Sequence, residues 1–130
     1  MLKIGLIGAG NRGKDIYANF ILNSTDEAQI IAVAEPNKIK REQVISAHNI
    51  KPEFSFSTWE DFLKKDKFCD AIFLATGDDL HFEPITIAME KGYDILLEKP
   101  MSNKAEECVK IADMAEFYGV KVMVCHVLRY

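Results

Sequence analysis

Three glycines near the start of the chain have the spacing of a phosphate-binding turn. Gly8, Gly10 and Gly13 follow a short apolar run and precede a segment with helical spacing. In such a turn the first glycine permits the tight bend, the second lets a pyrophosphate approach the backbone, and the third lets the helix pack closely on the strand. The N–H groups and the dipole at the helix start then favour phosphate. The pattern predicts a dinucleotide site that includes Asn11 and Arg12.

An acidic residue stands where such a site needs one. Glu35 ends the second predicted strand, about twenty residues beyond the turn, where a carboxylate can accept hydrogen bonds from the adenosine ribose. A carboxylate repels a 2′-phosphate, so NAD is favoured over NADP. One of Lys38, Lys40 and Arg41 could turn toward a phosphate, although a solvated helix face is the plainer interpretation. The alternative for the whole pattern is a tight turn and a solvated acid, which the strand–turn–helix context disfavours.

Polar residues also follow the later predicted strands. The fourth strand leads into Ala75, Thr76 and His81, and the fifth leads into Glu98 and Lys99. Open α/β sheets bind ligands beyond the carboxyl ends of their strands, so we expect these residues to line one site. His81 has two interpretations: it contacts the cofactor, or it caps the helix that follows it.

Lys99 is the candidate catalytic residue. When an alcohol is oxidised, a base must accept the hydroxyl proton as the hydride leaves, and a neutral lysine can serve. The alternative is a solvated loop lysine, the usual environment of this residue type. Pro100 follows it, and because only about 5% of X–Pro bonds are cis, a trans bond is the plainer expectation.

Cys125 and His126 lack the spacing of metal ligands, so no metal site is predicted.

Six short runs are apolar nearly throughout, as is typical of parallel strands covered by helices on both faces. These strand candidates are Lys3–Ile7, Ile30–Ala34, Phe54–Ser57, Ala71–Ala75, Asp94–Leu97 and Lys121–Cys125. Helical segments alternate with them, which predicts right-handed crossovers. The fold class is therefore α/β, a doubly wound parallel six-stranded sheet (Rossmann fold). We expect residues 1–130 to form one dinucleotide-binding domain, with a substrate domain absent from the chain.

Helix ends are predicted from local signals. Ser57 or Thr58 can cap one helix, and Ser102 or Asn103 another, while Pro84 suits a first helical turn. The helix after the glycine turn carries an aromatic and aliphatic set: Ile16, Tyr17, Phe20 and Ile21. Trp59 and Phe62, at helical spacing, are interpreted as core residues.

Composition limits the classes of function. The chain has 130 residues, of which 48% are hydrophobic and 28% charged, with a net charge of −4. The mildly acidic balance disfavours nucleic-acid or anionic-membrane partners, and no apolar run approaches the ~18 residues of a membrane span. Cys69, Cys108 and Cys125 are an odd, scattered set, which favours the reducing cytoplasm over a disulfide framework.

Taken together, these residues resemble the Gfo/Idh/MocA oxidoreductase family. The glycine turn, Glu35, the Ala75-Thr76 turn with His81, the Glu98-Lys99-Pro100 run and Arg129 carry the resemblance. It covers the whole chain, and Glu-Lys-Pro is its most specific element. It implies a Rossmann domain followed by a second, sheet-containing α/β domain, and hydride transfer between NAD(P) and a sugar, polyol or related secondary alcohol.

The same resemblance implies roles for individual residues. Lys99 would lie near the reacting hydroxyl, Glu98 would hold the nicotinamide end, and Thr76 and His81 would line the path of the cofactor. Family members run past twice this length, so the chain is expected to bind cofactor and to be catalytically incomplete. Homo-oligomers are expected from apolar groups left exposed by truncation after Tyr130, namely Val127, Leu128 and Tyr130.

Two other classes of function stay open at this point. One is a stand-alone nucleotide-binding or redox-sensing module without catalysis. The other is a structural or interaction protein that has kept the fold and lost the cofactor.

Overall fold

All six strands lie parallel in one sheet. The computed structural model describes residues 1–24, 26–126 and 128. The strand order is β3-β2-β1-β4-β5-β6. The strands are β1 Leu2–Ile7, β2 Ala28–Ala34, β3 Ser55–Phe56, β4 Ala71–Leu74, β5 Asp94–Glu98 and β6 Val122–Cys125. This order is that of a doubly wound sheet whose two halves meet between β1 and β4, so the predicted fold class is confirmed.

Helices connect the strands in strict alternation. The helix after β1 begins with a π-helical stretch, Asn11–Ala18, and continues as α1, Asn19–Ser24. The other α-helices are α2 Lys38–His48, α3 Trp59–Lys64, α4 Phe82–Glu90 and α5 Ala105–Tyr118, and short 3-10 turns occupy Pro52–Phe54 and Asp78–Leu80. Each strand therefore returns through a helix to a parallel neighbour.

The core lies on both faces of the sheet. Leu6 and Ile7 are neighbours on β1, and their side chains belong to different buried clusters, as expected when successive side chains point to opposite faces. Buried residues of the Leu6 cluster lie in the π-helical stretch, α1 and α2, whereas those of the Ile7 cluster lie in α3, α4 and α5. Both faces are thus covered, which explains why the strands are apolar throughout.

Two of the three predicted helix starts are confirmed. Thr58 is the N-cap of α3, and its hydroxyl accepts a hydrogen bond from the Asp61 N–H at 3.2 Å. Pro84 lies in the first turn of α4. Both cases follow from the local preference of these residue types for the first positions of a helix.

The predicted cap of α5 is wrong. The N-cap is Lys104, without a side-chain capping hydrogen bond, and the helix begins at Ala105 rather than directly after Ser102 or Asn103. The Ser102 hydroxyl accepts a hydrogen bond from the Lys104 N–H at 3.1 Å. Ser102 therefore forms a turn before the helix, because its short side chain can bind a backbone N–H two residues on.

Some predictions fall on residues that the structure does not describe. Val127, Arg129 and Tyr130 lie outside the described residues, and Leu128 is fully exposed. Within the described part of the chain, no helix is long and apolar enough to cross a membrane. The three cysteines are free thiols.

Candidate dinucleotide-binding site

Each glycine of the turn after β1 has its own structural reason. Gly8 has φ +92°, and a Cβ there would lie 2.5 Å from the Ala75 carbonyl oxygen. A Cβ on Gly13 would lie 2.0 Å from the Gly8 carbonyl oxygen. A Cβ on Gly10 would meet nothing within 4 Å. The protein itself therefore requires Gly8 and Gly13, whereas Gly10 borders open space into which a ligand can come.

The helix start supplies hydrogen-bond donors at the same place. The first bond of this helix runs from the Lys14 N–H to the Gly10 carbonyl at 2.8 Å. The N–H groups of Asn11, Arg12 and Gly13 precede it and have no acceptor within the helix. Asn11 and Arg12 are also exposed. Free N–H groups at the positive end of a helix suit a phosphate.

The Glu35 carboxylate joins the end of β2 to the glycine turn. Its Oε2 accepts a hydrogen bond from the Ala9 N–H at 2.7 Å, and its Oε1 accepts one from the Asn37 N–H at 2.8 Å. A carboxylate oxygen has two lone pairs, so each oxygen can accept one further hydrogen bond. Glu35 can therefore hold the turn and bind a hydroxyl pair at once.

The nearby basic residues differ in what they contact. Arg41 is half-buried, and its Nη1 donates to the Glu35 carbonyl at 2.5 Å and to the Pro36 carbonyl at 3.4 Å. Lys38 and Lys40 are exposed. The solvated-face interpretation therefore fits the two lysines and not Arg41, whose guanidinium is bound to the backbone at the end of β2.

A cavity of about 540 Å³ opens beside Glu35. It brings together five of the predicted site residues: Gly8, Gly10, Glu35, Ala75 and Thr76. Its remaining lining was not predicted as part of a site: Ile7, Ala34, Pro36, Thr58, Trp59, Glu60, Gly77 and Leu80. The cavity lies where the ends of β1, β2 and β4 meet, which is the binding crevice of a doubly wound sheet.

Trp59 has a second environment besides the core. Phe62 is fully buried, as predicted, whereas Trp59 is half-buried, packs against the edge of the core and lines the cavity. The interpretation of Trp59 as a core residue therefore covers only part of its surface. The signal that could have placed it at the site is its position just beyond the carboxyl end of β3.

His81 joins two loops outside this cavity. The side chain is 1% exposed, with Nδ1 2.7 Å from the Pro100 carbonyl oxygen and Nε2 3.1 Å from the Thr76 carbonyl oxygen. His81 is the N-cap residue of α4, as the capping interpretation predicts, but its side chain makes no capping hydrogen bond there. Both ring nitrogens face the protein's own carbonyls, and a direct contact with cofactor stays a prediction.

Glu98 and Lys99 lie at the end of β5, outside the cavity beside Glu35. Glu98 is 6% exposed, its Oε1 accepts a hydrogen bond from the Tyr17 hydroxyl, and its Oε2 accepts one from the Lys99 N–H at 3.1 Å. Lys99 is exposed, and its amine makes no hydrogen bond to the described residues. The Lys99–Pro100 bond is cis, contrary to the plainer expectation. Tyr17 is a partner that sequence spacing did not indicate.

Comparison with known proteins assigns the chain to a family. Residues 2–126 match the GFO_IDH_MocA family, described as "Oxidoreductase family, NAD-binding Rossmann fold". The chain belongs to the Gfo/Idh/MocA family. The resemblance inferred from the glycine turn, Glu35 and the Glu98-Lys99-Pro100 run is thereby confirmed.

Relatives of this Gfo/Idh/MocA domain include proteins named as dehydrogenases and proteins named as hydratases. Inositol 2-dehydrogenase of Corynebacterium glutamicum is 32% identical over 116 residues, 88% of this chain and 33% of that protein. The 2,7-anhydro-N-acetylneuraminate hydratase of Escherichia coli is 29% identical over 132 residues, all of this chain and 33% of that protein. The chain thus spans about a third of the length of these relatives.

Solved structures show the same fold. Scyllo-inositol dehydrogenase from Lactobacillus casei, with bound NAD(H) and scyllo-inositol, superposes with a TM-score of 0.88 at 20% identity, over 99% of this chain and 37% of that one. The WlbA dehydrogenase from Chromobacterium violaceum, in complex with NADH and UDP-GlcNAcA, gives 0.83 at 19% identity, over 95% and 34%. The predicted NAD cofactor agrees with the description of the family as NAD-binding.

The residues of this chain fit that cofactor. The open side of Gly10 admits a pyrophosphate, the N–H groups of Asn11, Arg12 and Gly13 can bind its oxygens, and the free lone pairs of Glu35 can accept from a ribose.

Proposed function

We propose that this domain is the NAD(H)-binding part of an oxidoreductase that transfers hydride between NAD and a sugar, polyol or related secondary alcohol. The observation that carries the proposal is the joining of Glu35 to the glycine turn at the rim of one cavity. A phosphate cradle and a ribose acceptor then lie side by side, in the order in which a dinucleotide needs them. The inositol dehydrogenases among the relatives support the polyol class.

The contacts at the end of β2 favour NAD over NADP. A 2′-phosphate in the cavity would lie against the Glu35 carboxylate, and the guanidinium of Arg41 is already bound to the Glu35 and Pro36 carbonyls. Lys38 and Lys40 are exposed on α2, and each would have to lose solvation to reach the 2′-phosphate of NADP. The ribose of NAD carries two hydroxyls there instead, and these need only the lone pairs that Glu35 has free.

Lys99 is the proposed catalytic residue. Bound NAD supplies the hydride acceptor, and the proton of the substrate hydroxyl passes to the Lys99 amine. Two features suit Lys99 to this role: its side chain is exposed at the carboxyl end of β5, and its backbone N–H is bound to Glu98. The base can thus reach a substrate while its main chain is held in place.

The chain alone is proposed to bind cofactor and to turn over slowly. Efficient hydride transfer needs a pocket that orients the substrate and excludes water, and Lys99 stands exposed just beyond the carboxyl end of β5. The direct measurement is NADH formation with NAD and myo- or scyllo-inositol. Turnover in the usual enzymatic range, on the order of 1–1,000 per second, would contradict this part of the proposal.

Cofactor binding can be followed through Trp59, the only tryptophan of the sequence. Because Trp59 lines the cavity beside Glu35, we expect NADH to quench its emission and to accept its excitation energy. Parallel titrations with NAD, NADPH and ADP-ribose, checked by calorimetry, measure the preference. If none of these ligands binds, the proposed function is wrong, and the alternative is a protein that has kept the fold and lost the cofactor.

A further inference from the structure

The Tyr17 hydroxyl reaches the carboxyl end of β5, which lies two strands from β1 and on the other side of it from Glu35. It donates a hydrogen bond to the Glu98 carboxylate, 81 positions later in the chain. Tyr17 lies in the π-helical stretch, one turn beyond Gly13, whereas Glu98 is the last residue of β5. One contact therefore connects the helix that follows the glycine turn with the strand that precedes Lys99.

The Glu98 carboxylate is held through both oxygens. Tyr17 binds Oε1, and the Lys99 N–H binds Oε2 at 3.1 Å. Because the carboxylate is planar and 6% exposed, it cannot rotate without giving up one of these partners in a place that water scarcely reaches. The orientation of the Lys99 backbone is thus linked to the position of Tyr17.

The surroundings of Tyr17 keep its hydroxyl in place as a donor. Its ring packs edge-on against Phe73, with centroids 5.8 Å apart. Cys125, which pairs with Glu98 in the register of β5 and β6, lies near the Tyr17 side chain. Burial, the neighbouring Cys125 thiol and the Glu98 carboxylate raise the pKa of Tyr17, so the hydroxyl keeps its proton.

The strand order places this contact at the nicotinamide half of the crevice. Glu35 follows β2 on one side of β1, whereas Glu98 ends β5, which lies beyond β4 on the other side; the cavity beside Glu35 lies between them, where the ends of β1, β2 and β4 meet. A dinucleotide bound across the switch point between β1 and β4 extends from the first side to the second. Its pyrophosphate would therefore lie at the glycine turn and its nicotinamide half toward Glu98 and Lys99.

We propose that Tyr17 is a positioning residue, which holds Glu98 and thereby the Glu98–Lys99 backbone against the nicotinamide half of the cofactor. The inference rests on the proposed function, because it assumes a bound NAD(H). In this proposal Glu98 acts on the nicotinamide end indirectly, because its carboxylate holds the backbone N–H of Lys99.

The test uses the change Tyr17→Phe, which removes the donor and keeps the ring against Phe73. NADH affinity should fall about tenfold, the equivalent of ~1.4 kcal/mol, since one hydrogen bond to a charged group is lost. The affinity for ADP-ribose, which lacks nicotinamide, should stay within about twofold of wild type. The control is Tyr118→Phe, an exposed tyrosine of α5. It should change neither affinity.

Two further measurements separate positioning from general damage. In NMR spectra the Lys99 amide resonance should move in Tyr17→Phe and not in Tyr118→Phe. In a double-mutant cycle with Glu98→Gln, the combined loss of NADH affinity should be smaller than the sum of the single losses, because both changes remove the same interaction. If Tyr17→Phe fails to fold, Glu98→Gln alone should still weaken NADH and spare ADP-ribose.

The outcomes distinguish this inference from the proposed function. Wild type that binds neither NADH nor ADP-ribose contradicts both. Wild type that binds both, with equal weakening of the two ligands or with no weakening in Tyr17→Phe, overturns the role of Tyr17 and leaves the proposed function standing.

Discussion

Glu35 accepts a hydrogen bond from the Ala9 N–H at 2.7 Å, so one carboxylate holds the loop that lies 26 positions earlier. The same side chain is the proposed ribose acceptor. In the proposed site, this one residue would therefore both hold the glycine turn and accept hydrogen bonds from the ribose. A change at Glu35 should act on both.

Glu35→Gln should weaken NADH more than NADPH. The amide keeps the size of the side chain but loses the charge and one acceptor oxygen, so NADH affinity should fall at least about tenfold, given ~1.5–3 kcal/mol for a charged hydrogen bond. The repulsion of a 2′-phosphate disappears, so the NADH-to-NADPH preference should narrow. Glu60→Gln, an exposed acid on the same cavity, is the matched control. Unchanged NADH affinity in Glu35→Gln and in Glu35→Ala would remove Glu35 from the ribose role.

Gly10→Ala should weaken NADH binding and keep the fold. Gly10 has φ −73° and ψ −166°, which alanine adopts, and its Cβ would meet no atom within 4 Å. The free energy of unfolding should thus change by less than about 1 kcal/mol. The new methyl group stands where the pyrophosphate must approach, so NADH affinity should fall more than about tenfold. Denaturation curves and Trp59 titrations measure the two effects, and retained affinity would place the phosphates elsewhere.

Gly13→Ala should show the opposite balance. Its Cβ would lie 2.0 Å from the Gly8 carbonyl oxygen, a backbone atom, so the helix must shift away from β1. We expect a loss of roughly 1–3 kcal/mol in the free energy of unfolding, the usual cost of overpacking. Chemical denaturation provides the measurement. A variant as stable as Gly10→Ala would show that the close approach of helix and strand is not required.

Alkaline pH should destabilise the protein partly through Cys69. Burial raises the pKa of this thiol from 9.0 to about 12. Between these values the unfolded chain loses a proton that the folded chain keeps, so stability is fully present below pH 9 and falls as pH rises toward 12. The slope from one such group is at most ~1.4 kcal/mol per pH unit.

Cys69→Ala should make this alkaline loss shallower, as measured by urea unfolding at pH 8 and pH 11. The slope should not vanish, because burial also raises the pKa of Tyr93 to about 12. Cys108→Ala, at a half-buried thiol on α5, should leave the slope unchanged. Equal slopes in wild type and Cys69→Ala would contradict the assignment.

Much of this architecture could be predicted from neighbouring residues. Three local features depend only on positions close in sequence, and the structure confirms the prediction from each. They are the apolar strand runs, the Thr58 cap of α3 and the tight glycine turn after β1. The helix after the glycine turn was also predicted, but its π-helical start was not. Its π-helical start takes one more residue per turn, and it leaves Ile16 and Phe20 exposed while Ile21 is buried.

The sequence by itself determined the fold class, the glycine turn after β1 and the acid at the end of β2, because strand and helix periods and glycine spacing are local properties. Only the tertiary structure decided that Tyr17 meets Glu98, that His81 joins the Thr76 and Pro100 loops, and that Trp59 lines the cavity. Such contacts depend on where the helices come to lie on the twisted sheet. That placement follows from packing over the whole core, so no short stretch of sequence contains it.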